Sequence, residues 1–228
     1  LSIILTKETN IFSRRGNFKF LIVKIRNSIY NFQYNVKFCN NMAKKTALLL
    51  IADGSEEMET VITADVLRRG GIAVTLASIG DSECVKCSRD VKICADTKLS
   101  NLSDKEKYDV IILPGGLGGS KAFSAEVGKL LQEQEKGNKL IAAICAAPTA
   151  LKAHGIAKGK QVTSYPAMKD QLENEYKYLE DRVVVDGNLI TSRGPGTAFA
   201  FGLALVEQLV NKETAATVAK GMLYEDYK

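Results

Sequence analysis

A parallel α/β sheet, doubly wound with helices on both faces, is the fold class this chain predicts. The first reason is a set of short apolar runs without polar alternation, within 46–52, 109–113 and 139–145; strands read this way when both of their faces are covered. The second is that such runs alternate with helical stretches of ten or more residues, the pattern of successive βαβ units. The third is that turns follow three of the strands, at 53–59, 114–119 and 145–148. In open α/β sheets ligands sit at the carboxyl ends of strands, so these turns, from separate parts of the chain, should converge on one rim.

In order, 46–52 is a strand, Asp53-Gly54-Ser55 turns the chain, and Ser55 is the expected N-cap. Met58, Val61, Ile62 and Val66 fall at helical spacing, and Gly70-Gly71 ends that helix. Residues 72–79 form a second strand. Residues 84–95 alternate and carry Lys86, Arg89, Asp90 and Lys92, which predicts a strand pair at a sheet edge. The buried strand 109–113 enters a glycine-rich loop, Pro114-Gly-Gly-Leu-Gly-Gly119, and a helix follows over about 123–136, closed by Gly137. The run to Cys145 is a strand, and the helix after it carries Pro148 in its first turn, where a missing N–H costs nothing. Strands at 162–165 and 182–186, a turn at Asp186-Gly187, a strand at 188–191 and helices at 197–210 and 212–220 complete the reading.

A chain of 228 residues, 46% hydrophobic, supports one sizeable domain. Its net charge of +5 is unevenly placed: of 31 Lys/Arg and 26 Asp/Glu, residues 1–41 hold seven and one, leaving 24 and 25. The remainder is therefore neutral and lacks the electrostatic footprint of a nucleic-acid binder. The domain is placed at 42–228, from the first methionine, Met42. Residues 1–41 are read as a non-structural extension, with three origins open: translation upstream of the start, a mitochondrial presequence suggested by Arg14, Arg15 and Arg26, or a disordered arm. No apolar run approaches the ~18 residues of a membrane span. Five cysteines, an odd number with no secretory signal, read as free thiols of a reducing compartment. Cys84 and Cys87 form a lone C-x-x-C with one histidine in the whole chain, too few ligands for zinc, and no metal or other cofactor is expected.

Cys145 is the residue the rim is organised around. A cysteine at a strand-to-helix turn meets the positive end of a helix dipole, which favours the reactive thiolate. Ala143, Ala146 and Ala147 permit a sharp turn, the cysteine counterpart of a nucleophile elbow; a buried, inert cysteine is the alternative. Glu56 and Glu57 are read as compensating the helix dipole. Glu59, one turn further in, faces the rim, where a carboxyl in a dry pocket would keep its proton beside a thiolate. The glycine loop has no dinucleotide or Walker pattern, and its N–H groups with that of Ala146 suit an oxyanion hole. His154 lies nine residues after Cys145, on the far side of the helix, and is excluded as its base.

The segment Ala142-Ala-Ile-Cys145-Ala-Ala-Pro-Thr-Ala150 resembles the ThiJ/PfpI superfamily, in the branch of the Parkinson-disease protein deglycase. The likeness runs from Met42 to near the C-terminus through Glu56-Glu-Met-Glu-Thr-Val61, Cys87-Ser-Arg-Asp-Val91, Leu113-Pro-Gly-Gly116 and Thr191-Ser-Arg-Gly-Pro-Gly-Thr197. It implies a flavodoxin-like fold of the class I glutamine-amidotransferase type, a homodimer, and no cofactor. It implies that Cys145 is the nucleophile and oxidises to sulfinate, with Glu59 bonded to it. Gly115, Gly116 and Ala146 would line an anion pocket with Arg89, presented by the partner subunit, and Cys87 and Cys94 would be secondary redox cysteines. At Tyr165 the family's best-known member has a histidine; phenols ionise near about pH 10 and shuttle protons poorly at neutrality.

Two functions follow. One is cofactor-free detoxification of methylglyoxal or early glycation adducts by Cys145 and Glu59. The alternative is a non-enzymatic redox sensor or chaperone whose oxidised cysteine controls partner binding. A nucleotide-binding module ranks last. The resemblance places the protein in the cytoplasm, with mitochondrion and nucleus as further compartments.

Overall fold

The computed structural model describes residues 12–15, 18–25, 28–34, 44–105 and 107–227. They fall into two units, within 1–43 and 44–228. In the first, β1 (Phe12–Arg15), β2 (Phe18–Ile25) and β3 (Ser28–Tyr34) pair antiparallel in the order β1-β2-β3. The sequence reading placed no element there.

The second unit is an α/β sandwich. Its elements are β4 (Thr46–Ile51), α1 (Glu57–Arg69), β5 (Ala73–Ser78), β6 (Cys84–Lys86), β7 (Lys92–Cys94), β8 (Thr97–Lys98), β9 (Val110–Leu113), α2 (Leu117–Glu126), α3 (Gly128–Lys136), β10 (Leu140–Ile144), α4 (Pro148–Ala153), β11 (Gln161–Val162), α5 (Lys169–Leu172), β12 (Lys177–Tyr178), β13 (Val183–Asp186), β14 (Leu189–Ser192), α6 (Ala198–Leu209) and α7 (Lys212–Gly221). The seven-stranded sheet has the order β13-β14-β10-β9-β4-β5-β8. All its pairs are parallel except β13 with β14. The five inner strands therefore follow the flavodoxin-like order, with the topological switch between β4 and β9.

The apolar runs alternate between two cores. Leu49, Ile51, Ile112, Ala142 and Ile144 face α1, α6 and α7 through Val66, Leu67, Phe201, Val206 and Val218. Leu48, Leu50, Ile111, Leu113, Ile141 and Ala143 face α2, α3 and α4 through Phe123, Leu131 and Leu151. A strand buried on both faces has no polar side to show, which is why these runs lacked alternation.

Several local expectations are corrected. Ser55 does not cap α1: its Oγ turns back to accept the Ala52 N–H at 3.0 Å, and Glu56 is the cap, accepting from Met58 N–H at 3.4 Å. The single helix expected over 123–136 is two, α2 and α3, broken at Val127. Helix α2 begins at Leu117, so Gly118 and Gly119 belong to its first turn rather than to a loop. The strand expected at 162–165 is only β11, which pairs with β12 outside the main sheet.

The pair β6–β7 is an antiparallel hairpin of its own, not an edge of the main sheet. Cys84 and Cys94 lie directly across it and are joined by a disulfide. That overturns the expectation of free thiols throughout: opposed positions on antiparallel strands bring two side chains together on one face. Among the described residues the free cysteines are Cys87, which is buried, and Cys145. Cys39 lies outside the described residues.

Candidate active site

Cys145 occupies a strained elbow. Its φ is +64°, a left-handed conformation that a residue with a side chain holds only when its neighbours enforce it. They do so through three backbone bonds: Cys145 N–H to the Ser192 carbonyl at 3.0 Å, Tyr165 N–H to the Cys145 carbonyl at 2.8 Å, and Ala147 N–H to the Ile144 carbonyl at 3.0 Å. The alanines around it are buried. Pro148 opens α4 as expected.

Glu59 projects from the first turns of α1 into the floor of the same rim and is fully buried. Its Oε2 accepts the Gly115 N–H at 2.6 Å, while Oε1 has no hydrogen-bond partner of good geometry. A Cβ on Gly115 would lie 2.5 Å from Cys145 Cβ and 2.7 Å from Glu59 Oε2, so only glycine lets sulfur and carboxyl meet there. Gly115 thus spends its N–H on Glu59 instead of offering it to an anion. Gly116, at φ +84°, would place a Cβ 2.2 Å from the Gly54 carbonyl oxygen. Its N–H and that of Ala146 are directed at the Cys145 sulfur.

The electrostatics differ from the dipole argument. Burial, then the Glu59 charge, pushes the Cys145 thiol up to about 12, against the pull of the Gly116 and Ala146 amides. A six-residue helix does not outweigh that loss of solvation. Burial likewise raises Glu59 to about 7, although the Gly115 N–H and the thiol favour its charged form. The two groups therefore hold one proton between them over the intervening range, as thiol with carboxylate or as thiolate with carboxylic acid. The higher-lying thiol holds that proton, and thiolate forms when the proton passes to Glu59.

Cys145 opens onto a cleft of about 850 Å³. Gly116, Ala146, Arg89, Cys87 and Tyr165 all line it, so five of the residues singled out in the sequence converge with Cys145. Arg89 reaches the cleft of its own chain, exposed, with Nη1 donating to the Ser88 carbonyl at 3.0 Å. Tyr165 contributes a half-exposed ring. Cys94 is outside this cluster and consumed in the disulfide. Burial and the nearby Glu57, Glu56 and Asp53 charges push Cys87 up to about 11, an unreactive thiol. His154 is spent elsewhere, its Nε2 2.9 Å from the Phe123 carbonyl oxygen.

Glu57 was undervalued as dipole compensation. It is buried, its Oε1 accepts the Arg89 N–H at 2.9 Å and its Oε2 accepts from Ser88 Oγ at 2.9 Å. Burial works against its charge, but bonds from its own backbone, Ser88, Arg89 and Val91 more than offset that and hold its carboxyl below the usual range. Ser88, whose single hydroxyl hydrogen is shared between Glu57 and Glu56 Oε2 at 2.6 Å, was missed as a site residue, although it sits between Cys87 and Arg89 in a quoted block. Met168 also lines the cleft and had no sequence signal, because it arrives from a distant loop; Pro195 lines it too, from the quoted block 191–197, and was not singled out.

A cysteine elbow after the fourth strand of a 2-1-3-4-5 sheet, with a buried acid reaching it from the first helix, defines a class of flavodoxin-like α/β proteins built around a cysteine at the strand-to-helix turn. Residues 45–208 match the profile of the DJ-1/PfpI family. The chain is 59% identical to Protein dj-1beta of Drosophila melanogaster over 182 residues, 78% of this chain and 97% of that protein. It is 45% identical to the glutathione-independent glyoxalase DJR-1.2 of Caenorhabditis elegans over 181 residues, 78% and 96% of the two chains. The crystal structure of Drosophila DJ-1beta superposes with a TM-score of 0.76 at 58% identity, covering 79% of this chain and 98% of that one. Oxidized Toxoplasma gondii DJ-1 gives 0.75 at 38% identity, covering 79% and 99%. The chain belongs to the DJ-1/PfpI family. Among the described residues no helix is long and apolar enough to cross a membrane.

Proposed function

We propose that this protein is a DJ-1-type stress protein that converts methylglyoxal to lactate without a cofactor, with Cys145 as nucleophile and Glu59 as proton carrier. The observation that carries the reading is the pair itself: a strained sulfur and a carboxyl at about 7, sharing one proton on the floor of an open cleft. The thiolate adds to the aldehyde carbon, and the oxygen takes the proton from Glu59. The Glu59 carboxylate then removes the hydrogen on that carbon, and the electron pair flows into the adjacent ketone as an enediol. Return of the proton to the second carbon leaves a thioester, which water cleaves to lactate and thiol. One carbon is oxidised as its neighbour is reduced, so no external oxidant or reductant enters. The amides of Gly116 and Ala146 stabilise the anionic sulfur from which the sequence starts. Early glycation adducts present the same carbon and fall in the same substrate class. The name of the nematode relative supports this choice of reaction. Lactate formation from methylglyoxal, compared between the wild type and Cys145→Ala, tests it; equal rates overturn it.

A second use of the site is redox sensing. The amides directed at the sulfur, and a carboxyl able to donate to an oxidised sulfur oxygen, suit a Cys145 sulfinate. The oxidized Toxoplasma homologue is a relevant neighbour. Mild peroxide should add two oxygens to Cys145 before Cys87, read by peptide mass spectrometry; simultaneous oxidation of both would count against it. A homodimer is proposed through α1, where Met58, Val61 and the nearby Val91 stand about half exposed.

A further inference from the structure

One wall of the cleft is the end of β6 and the loop between β6 and β7. Lys86, Cys87, Ser88, Arg89 and Asp90 all face the cavity. This loop is docked by a ladder of bonds onto the turn that leads into α1. Gly54 N–H donates to the Lys86 carbonyl at 2.8 Å, Lys86 N–H to Asp53 Oδ1 at 2.8 Å, and Ser88 N–H to the Ser55 carbonyl at 2.8 Å. Ser88 Oγ and the Arg89 N–H add the bonds to Glu56 and Glu57. The hairpin thus connects the cleft wall to the helix that carries Glu59.

Its base is closed by Cys84 and Cys94. The Ala95 N–H to Glu83 carbonyl bond and the Cys87 N–H to Val91 carbonyl bond, both 2.8 Å, set the alternation of the ladder. They put 84 and 94 at a non-hydrogen-bonded position, where opposed side chains approach most closely. Val85 and Cys87 are buried, whereas both members of the disulfide are exposed. The pair is therefore open to thiols and oxidants, while the nearby free cysteine Cys87 is buried.

We infer that Cys84 and Cys94 form a second, reversible redox centre, a dithiol–disulfide couple in exchange with small thiols such as glutathione, whose state controls how firmly the cleft wall is fastened. Oxidation by glutathione disulfide proceeds by attack of one Cys thiolate on its S–S bond, releasing one glutathione. The second Cys then attacks the mixed disulfide and releases the other. Two protein thiols are oxidised, one glutathione disulfide is reduced to two thiols, and two protons pass between the partners. The closed pair removes open states of the hairpin, so the loop it encloses should exchange its amide hydrogens more slowly.

The full chain, reduced and then equilibrated in glutathione buffers of graded ratio, tests this by two measurements that do not depend on any turnover. Mass spectrometry should find the 84–94 linked peptides in buffers that leave Cys145 unmodified. Hydrogen exchange of the amides in 86–91 should slow by about tenfold in the linked form, with residues of β4 and β10 unchanged. Cys84→Ser should bind one glutathione at Cys94, form no link and show no slowing. A pair that stays reduced until Cys145 is oxidised overturns the proposal, and so does a linked pair with unchanged exchange in 86–91.

Discussion

Tyr165 donates its backbone N–H to the carbonyl of Cys145 at 2.8 Å. The residue that replaces the histidine of the family's best-known member is therefore tied to the elbow by its main chain, which any side chain would preserve. Its ring stands half exposed beside Gly194 and hydrogen-bonds to no described side chain. Tyr165→Phe should accordingly leave methylglyoxal turnover within about threefold of the wild type. A loss beyond about thirtyfold with unchanged melting would place the phenol in the proton path.

Replacing Glu59 separates charge from proton transfer. Glu59→Gln keeps the shape and an acceptor for the Gly115 N–H but carries no proton to the substrate. Turnover should fall by at least about 100-fold, the usual contribution of a positioned acid–base. Alkylation of Cys145 by iodoacetamide at pH 7.5 should instead become about tenfold faster, because the carboxylate charge that raises the thiol is gone while the amides of Gly116 and Ala146 remain. A variant slow in both assays would mean that Glu59 activates the sulfur by some other route.

The same substitution reports on stability. Folded Glu59 holds its proton to about 7, against the ordinary 4.5 of a glutamate in the unfolded chain, so between those values the folded state binds more protons. Stability is then fully present below about pH 4.5 and is lost as pH rises through 7. The loss is about 3 kcal/mol for this one group. Urea midpoints of wild type and Glu59→Gln should diverge between pH 5 and 8, the wild type weakening relative to the variant. Parallel curves would show that the carboxyl titrates as in solvent.

How much of this was legible beforehand depends on how locally each feature is encoded. The buried strands were readable because Leu48 to Ile51 must be apolar on both faces, and the elbow because small residues flank Cys145. Glu59 was singled out by helical phase and by the family resemblance. Features that rest on a distant partner were not readable. Helix α2 starts at Leu117 because Gly116 can adopt a positive φ against the Gly54 carbonyl, a contact between segments some sixty residues apart in sequence. The dipole argument for Cys145 was incomplete because the dipole of a following helix is a sequence-local quantity, whereas the burial and the Glu59 charge that push the thiol up are not. The Cys84–Cys94 pairing needed the hairpin register, which the alternation suggested but did not fix.

Gly115 offers a test of the packing at the centre of the site. A Cβ there would fall 2.5 Å from Cys145 Cβ and 3.0 Å from its Sγ. Gly115→Ala should lower stability by about 1–3 kcal/mol as the elbow is pushed aside, and should abolish turnover through loss of the shared proton. Calorimetry and the lactate assay read the two effects. An active, equally stable variant would mean that the elbow and α1 move apart easily, against the network of backbone bonds around Cys145.

The exposed apolar face of α1 gives the last expectation. Met58 and Val61 are 51% and 53% exposed, and Val91, whose backbone interacts with Glu57, is 48% exposed. Residues of this kind gain about 25 cal/mol for each Å² of apolar surface removed from water, which favours covering them with a second copy of the same face. Val61→Asp would put a charge at the centre of that contact on both copies at once, without touching the core face of α1. Sedimentation velocity should then find a monomer where the wild type is a dimer, with the far-ultraviolet circular dichroism unchanged. Arg89 lines the cleft of its own chain, so the monomer should retain Cys145 alkylation within about threefold. A dimer that survives the aspartate would move the interface away from α1, and a monomer with a tenfold change in Cys145 reactivity would mean that the partner helps to form the site.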